Sequence, residues 1–292
     1  MEGTKRSTTT PKASDATIND GAVKGNALRV GQQQPSWTMK MFKIKITLRG
    51  LFRWQPSRET FVALIAGVIV LGLSVAMIPF ENRPWLRIIL RDIGQIYLMG
   101  ILLPLLFILR SGDSFARFGL SFRKWYVFLP INLVLGALLL SQFLSKSPPS
   151  AEFRLDAPTL WKTSYIIIAL FFELLFFYAF LRTLFEQAFG SALGIVLAAL
   201  FYAFHHAGFQ PEFGKLFFVG VLYATTYRLG NSALLIYPFF LGVGGIYDVL
   251  IQSKVVSPIP FPAIRTLFLA VLIFAAVTWT WNKQRHRTLS LA

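Results

Sequence analysis

Between residues 59 and 283 one pattern recurs: an apolar run near twenty residues long, then a short polar or basic break. A helix needs about 20 apolar residues to cross a bilayer, and without water each span must satisfy its own backbone hydrogen bonds. The runs therefore predict an all-α fold, a polytopic helical membrane protein with about eight transmembrane helices. They fall at residues 60–80, 88–110, 124–145, 159–185, 190–208, 214–229 (a short one), 231–252 and 262–282. Ten-residue segments of alternating polarity, the mark of an outer-membrane barrel, do not occur. Charged residues make up 14% of the chain, against about 25% in a soluble domain.

The formal net charge of +16 is concentrated at the ends: residues 1–58 hold eleven Lys/Arg against three Asp/Glu, and Lys283, Arg285 and Arg287 follow the last run. Basic flanks beside spans match attraction to anionic headgroups, so the lipid bilayer is the expected partner and nucleic acid is not. Residues 1–38 are polar, lack apolar periodicity and have no apolar stretch after their first basic residues, which reads as a disordered tail rather than a signal peptide. Residues 39–58 mix Lys/Arg with Phe, Leu and Trp and read equally as a membrane-surface segment or a solvated linker.

The expected organisation is a basic tail and juxtamembrane segment over 1–58, a helical membrane domain over 59–283 and a short basic tail over 284–292. Arg110, Arg117, Arg123 and Lys124 share one loop, whereas the 146–162 loop carries Glu152 and Asp156 among its bases. That asymmetry predicts cytoplasmic termini, in a cell membrane. Trp85, Trp125, Trp161 and Trp281 fall near proposed span ends, where an aromatic belt belongs. The chain has no cysteine, which excludes disulfides, thiolate catalysis and cysteine metal sites.

Within the apolar runs a few residues carry chemistry. Glu173 interrupts the otherwise apolar stretch 166–181. An ionisable group at bilayer depth costs roughly 2.5–3.5 kcal/mol on insertion scales and usually faces a cavity or a partner. Glu173 is thus a candidate general base, with a carboxyl hydrogen-bonded to a neighbouring helix as the structural alternative. His205 and His206 end the next run. Adjacent residues on a helix point about 100° apart, so one of them at most is expected to face a given cavity. Asp248, in Gly242-Val-Gly-Gly-Ile-Tyr-Asp248, reads equally as a buried group or as a solvated residue near a span end. No His-Glu-x-x-His occurs. No cofactor and no metal site is expected, although a Glu/His/Asp set drawn from three helices leaves a metal open.

An intramembrane Glu, a Phe-x-x-x-His on the following span and an Asp two spans later together resemble the CPBP family (CAAX proteases and bacteriocin-processing enzymes, also called Abi). The resemblance covers roughly residues 110–255, and Arg117-Phe-Gly-Leu-Ser-Phe-Arg-Lys124 is similar to the segment that often precedes the family's third span. Family members are helical membrane proteins of about eight spans. They include type II prenyl endopeptidases, which remove the last three residues of prenylated proteins, and bacterial members linked to peptide processing and self-immunity.

The Phe-x-x-x-His motif is intact as Phe201-Tyr-Ala-Phe-His205, which favours His205 over His206. The Glu-Glu-x-x-x-Arg motif is partial. Taking Glu173 as its first Glu puts Leu174 at the second and Tyr178 at the Arg. Taking Glu173 as the second puts Phe177 at the Arg and strands a carboxylate. The first register loses both partners of an ion pair together, which can be neutral, whereas losing one costs about 3–5 kcal/mol. In the third motif, His-x-x-x-Asn/Asp, Asp248 survives but Gly244 replaces the His. The family's oxyanion pair is thereby reduced, and one lost donor costs about 10²–10³ in rate.

The resemblance implies an intramembrane endopeptidase acting on a membrane-bound peptide or protein substrate. Glu173 would activate water, His205 would assist it, and Asp248 would orient or polarise the site. A catalytically inactive relative that binds peptides or partner proteins is the alternative. A transporter with Glu173 as proton relay is a third reading; the absence of an internal repeat, and of other obviously buried charges, speaks against it.

Overall fold

A computed structural model describes residues 48–80, 82–147, 155–206, 211–242, 245–247 and 259–290. Among them every regular element is helical. After a single turn at Leu48–Leu51 come α1 (Arg58–Phe80), α2 (Pro84–Ser111), α3 (Trp125–Ser145), α4 (Ala157–Phe189), α5 (Ser191–His205), α6 (Phe213–Gly230), α7 (Ala233–Leu241) and α8 (Pro262–Ser290). Helices thus occupy each predicted interval. Five of them, α1 to α4 and α8, are long and apolar enough to cross a membrane; α5 and α7 are apolar but shorter. The expected tail at 1–38 lies outside the described residues, as do residues 148–154 of the 146–162 loop.

Local chemistry sets the boundaries. Ser57 caps α1 in a capping box with Thr60, Asp156 accepts the Thr159 amide at 2.8 Å to start α4, and Ser232 caps α7 through the Leu235 amide at 3.2 Å. Each cap satisfies an orphan donor of a first helical turn. Gly112 ends α2 in the left-handed region, φ 73°, which glycine enters without steric cost.

Burial separates interior from periphery. In α4, 72% of the apolar window is buried, against 11% in α3. An apolar helix buried on all sides is a core element, so α4 is the axis of the bundle. All eight residues from Leu174 to Leu181 are buried. Leu133, Val134 and Leu138 of α3 are exposed, as lipid-facing residues are. Trp85, Trp125 and Trp161 are also exposed near helix starts, and Trp281 is exposed within α8, which runs on to Ser290.

Close approaches are made by small residues, as in membrane helix packing. A methyl at Gly136 of α3 would lie 2.8 Å from the Pro238 carbonyl of α7, and one at Gly100 of α2 would overlap the Phe172 ring of α4. The Gly100 contact brings α2 against the segment of α4 that carries Glu173.

Among the described residues, α2 over Ile89–Leu102 and α4 over Leu174–Leu181 widen from α to i→i+5 geometry, as do Gly242 and residues 245–247 after α7. Such wide turns are uncommon and concentrate at functional sites. In α4 the change begins at the residue after Glu173.

The expectation of few other buried charges is corrected. Asp92, Arg182 and Arg265 are all buried. Asp92 and Arg265 lie near the starts of their spans, where sequence alone reads them as interfacial.

Candidate functional site

Glu173 is the last α-helical residue of α4 before the wide segment. Its side chain meets the end of α5 and faces a cavity of about 320 Å³. The walls come from α1 (Ser74, Met77), α2 (Arg87, Arg91, Gln95), α4 (Phe172, Glu173) and the α5 terminus (His205, His206). Glu173 and His205 are each 8% exposed. Oε1 of Glu173 stands 3.3 Å from Nε2 of His205, and Oε2 has no hydrogen-bond partner. A buried polar atom without a partner costs free energy, so it marks a place where water or a ligand group belongs.

The two histidines share one anchor. Nδ1 of His205 lies 2.5 Å and Nδ1 of His206 lies 2.9 Å from the carbonyl oxygen of Tyr202. A carbonyl only accepts, so each Nδ1 carries the proton in that bond and each neutral ring keeps its lone pair on Nε2. The contact between Glu173 Oε1 and His205 Nε2 therefore requires one proton, held by the carboxyl or by the imidazole.

His206 corrects the expectation that one histidine at most faces a cavity. Helix α5 ends at His205, and His206 has ψ 33°, outside helical geometry. Its amide bonds the Ala203 carbonyl at 3.4 Å, the tightened closure common at helix ends. The 100° offset of a continuous helix no longer applies there, and the ring centroids of His205 and His206 come within 3.9 Å.

The first motif is filled by packing residues. Leu174 and Tyr178 are buried. The Tyr178 ring packs on Tyr202, Tyr223 and Phe240. Phe177, the Arg position in the other register, lies 4.7 Å from the His205 ring, centroid to centroid. Asp248 and Gly244 lie outside the described residues.

Sequence reasoning missed Arg87, Arg91, Gln95 and Ser74. The usable signal was two arginines four residues apart beside an apolar run, hence on one helix face. Gln95 Nε2 donates to Ser74 Oγ at 2.6 Å, which ties α2 to α1 at the cavity wall. The two guanidinium groups and the single carboxylate give the cavity an excess of positive charge, favourable to an anionic ligand group or a developing oxyanion.

A second polar cluster lies between α2, α4 and α8, nearer the starts of α4 and α8. Arg265 Nε donates to Asp92 Oδ2 at 2.6 Å and Nη2 to Oδ1 at 2.7 Å. Tyr165 donates its hydroxyl to Asp92 Oδ1 at 2.6 Å and accepts from Arg265 Nη2 at 2.5 Å. On the opposite side of Glu173 along α4, Arg182 pairs with Glu186, which Arg228 also contacts at 2.5 Å.

Comparison with protein-family models, with curated proteins and with solved structures gives no match.

Proposed function

We propose that this chain is a CPBP-like intramembrane endopeptidase of the CAAX prenyl protease type, hydrolysing a peptide bond in a membrane-associated substrate with a glutamate-activated water. The supporting observation is the buried Glu173 carboxylate, with one oxygen against His205 Nε2 at 3.3 Å and the other without a partner beside a cavity. Water placed at Oε2 loses a proton to the carboxylate as its oxygen attacks the carbonyl carbon. The tetrahedral oxyanion then faces the guanidinium side of the cavity, and Glu173 returns the proton to the leaving amine as the C–N bond breaks. Arg91 supplies positive charge that Gly244 cannot. Asp248 orients a polar group of the site, and stabilises an oxyanion only when protonated.

In this reading about eight helices span a cell membrane with both termini cytoplasmic, and the cavity, at the Met77–Arg87 end of α1 and α2, opens toward the opposite face. The test is cleavage of a membrane-peptide library by the purified protein, with Glu173→Ala and His205→Ala alongside. Loss of cleavage in both folded variants supports the assignment; wild-type cleavage that survives Glu173→Gln defeats it. Gly244 at the third-motif His position favours one alternative, an inactive relative that binds peptides without cutting them. It predicts peptide binding with no product, and a Glu173 substitution that alters folding rather than turnover.

A further inference from the structure

One carboxylate oxygen of Glu173 and one ring nitrogen each of His205 and His206 all lie within 4.8 Å of one another. Tetrahedral geometry on Zn–N and Zn–O bonds of about 2.0–2.2 Å places donors roughly 3.4 Å apart. The Glu173 Oε1 to His205 Nε2 separation is 3.3 Å. The Glu173–His205 pair already has that spacing, and the remaining donor must draw in for the three to surround one ion.

Two independent features point the same way. Metal-binding histidines usually donate the other ring N–H to a carboxylate or backbone carbonyl, which fixes the tautomer and the ring orientation. Here the Tyr202 carbonyl takes Nδ1 of both rings, at 2.5 and 2.9 Å, leaving both Nε2 lone pairs for another partner. The Glu173 side chain adds an oxygen, Oε2, that is buried and without a partner. A purely structural Glu–His contact explains neither the shared anchor for His206 nor the bare oxygen.

We propose that Glu173, His205 and His206 bind one divalent transition-metal ion of the zinc type, with a fourth coordination position open to the cavity. Two imidazoles and one carboxylate suit Zn²⁺ or Co²⁺, whereas Mg²⁺ and Ca²⁺ take oxygen ligands. Three protein ligands with an open position form the pattern of catalytic rather than structural zinc. Arg87 and Arg91, which line the same cavity, oppose a bare dication. The open position is therefore filled by an anionic group, hydroxide or a carboxylate, and binding releases protons. A bound ion would supply Lewis-acid activation of water, with Glu173 serving as one of its ligands instead of as the base. The hydrolytic character of the site is kept, and the identity of the water-activating group changes. Metal binding does not depend on whether peptides are cut.

The test uses the full-length, tag-free protein in detergent, stripped with chelator and titrated separately with Zn²⁺ and Co²⁺. The expected result is one equivalent bound, with a tetrahedral Co²⁺ visible spectrum. Glu173→Gln and His206→Gln should each weaken binding by more than the about 10–100-fold that follows loss of an outer-shell partner, and His286→Gln should leave it unchanged. X-ray absorption at the zinc edge of the wild type counts its imidazoles without any variant, and two are expected. No ion retained by folded wild type, or a zinc shell without two imidazoles, overturns the site. Cleavage by metal-free protein would overturn the catalytic ion and leave the peptidase assignment standing. One bound ion without cleavage would establish the site and count against the peptidase.

Discussion

Two of the ionisable clusters inside this bundle are finished differently. In the Asp92–Arg265–Tyr165 cluster both carboxylate oxygens and the phenol are hydrogen-bonded, and Asp92 is fully buried. In the Glu173–His205–His206 cluster one carboxylate oxygen is bare and the group borders a cavity. Burial alone therefore does not separate a structural charge from a functional one. An unpartnered atom beside a cavity does: Arg182 also leaves Nε and Nη1 without partners but does not line this cavity, whereas Glu173 borders it, and a closed network has no capacity left for substrate or ion.

The sharpest way to break this contrast is Glu173→Gln, which keeps the shape and removes the base. Peptide cleavage should fall by about 10²–10⁴-fold, the range for a general base, while the thermal midpoint moves little. Next in size, Arg265→Leu leaves Asp92 buried and unpaired. It should destabilise the protein by about 3–5 kcal/mol, read by chemical denaturation in detergent micelles. Cleavage per folded molecule should stay near wild type.

Arg91→Gln removes one of the cavity's two guanidinium groups, the one assigned to the oxyanion. It should lower kcat by about 10²–10³-fold, with unchanged thermal stability, in a cleavage assay on membrane peptides. Gly100→Ala pushes a methyl into the Phe172 ring. Overpacking of this kind costs about 1–3 kcal/mol, and the loss should be partly restored by Phe172→Leu. The smallest effect is expected for the combined Asp92→Leu, Arg265→Met and Tyr165→Phe variant. Replacing a whole buried ionic group by packing residues is often neutral, so stability close to wild type is expected, and unchanged cleavage per folded molecule would show that the cluster takes no part in the chemistry.

Much of the fold was legible because bilayer physics writes length and polarity directly into sequence. Among the described residues a helix lies in each of the eight apolar runs, five of them long and apolar enough to cross a membrane, and the lone carboxylate in the run at 166–181 lines the candidate site. His205 was legible through its motif spacing. His206 was not, since its position depends on where α5 stops, and helix ends are decided by single hydrogen bonds. Asp92 and Arg265 escaped because they are 173 residues apart and each lies near the start of its span. Pairing across that distance leaves no local trace. The widening of α4 after Glu173 was equally hidden, because Leu174–Leu181 reads as an ordinary apolar helix.

The shared anchor of the two histidines is a main-chain atom. Side-chain genetics is blind to it: a scan through position 202 would score the Tyr202 ring, which packs on both imidazoles, and leave the acceptor in place. Backbone chemistry reaches further. An α-hydroxy acid in place of Ala203 would turn the Tyr202 carbonyl into that of an ester, a weaker acceptor, with every side chain intact. One atom substitution would then loosen both rings together, and whatever depends on their shared orientation would fail as a unit.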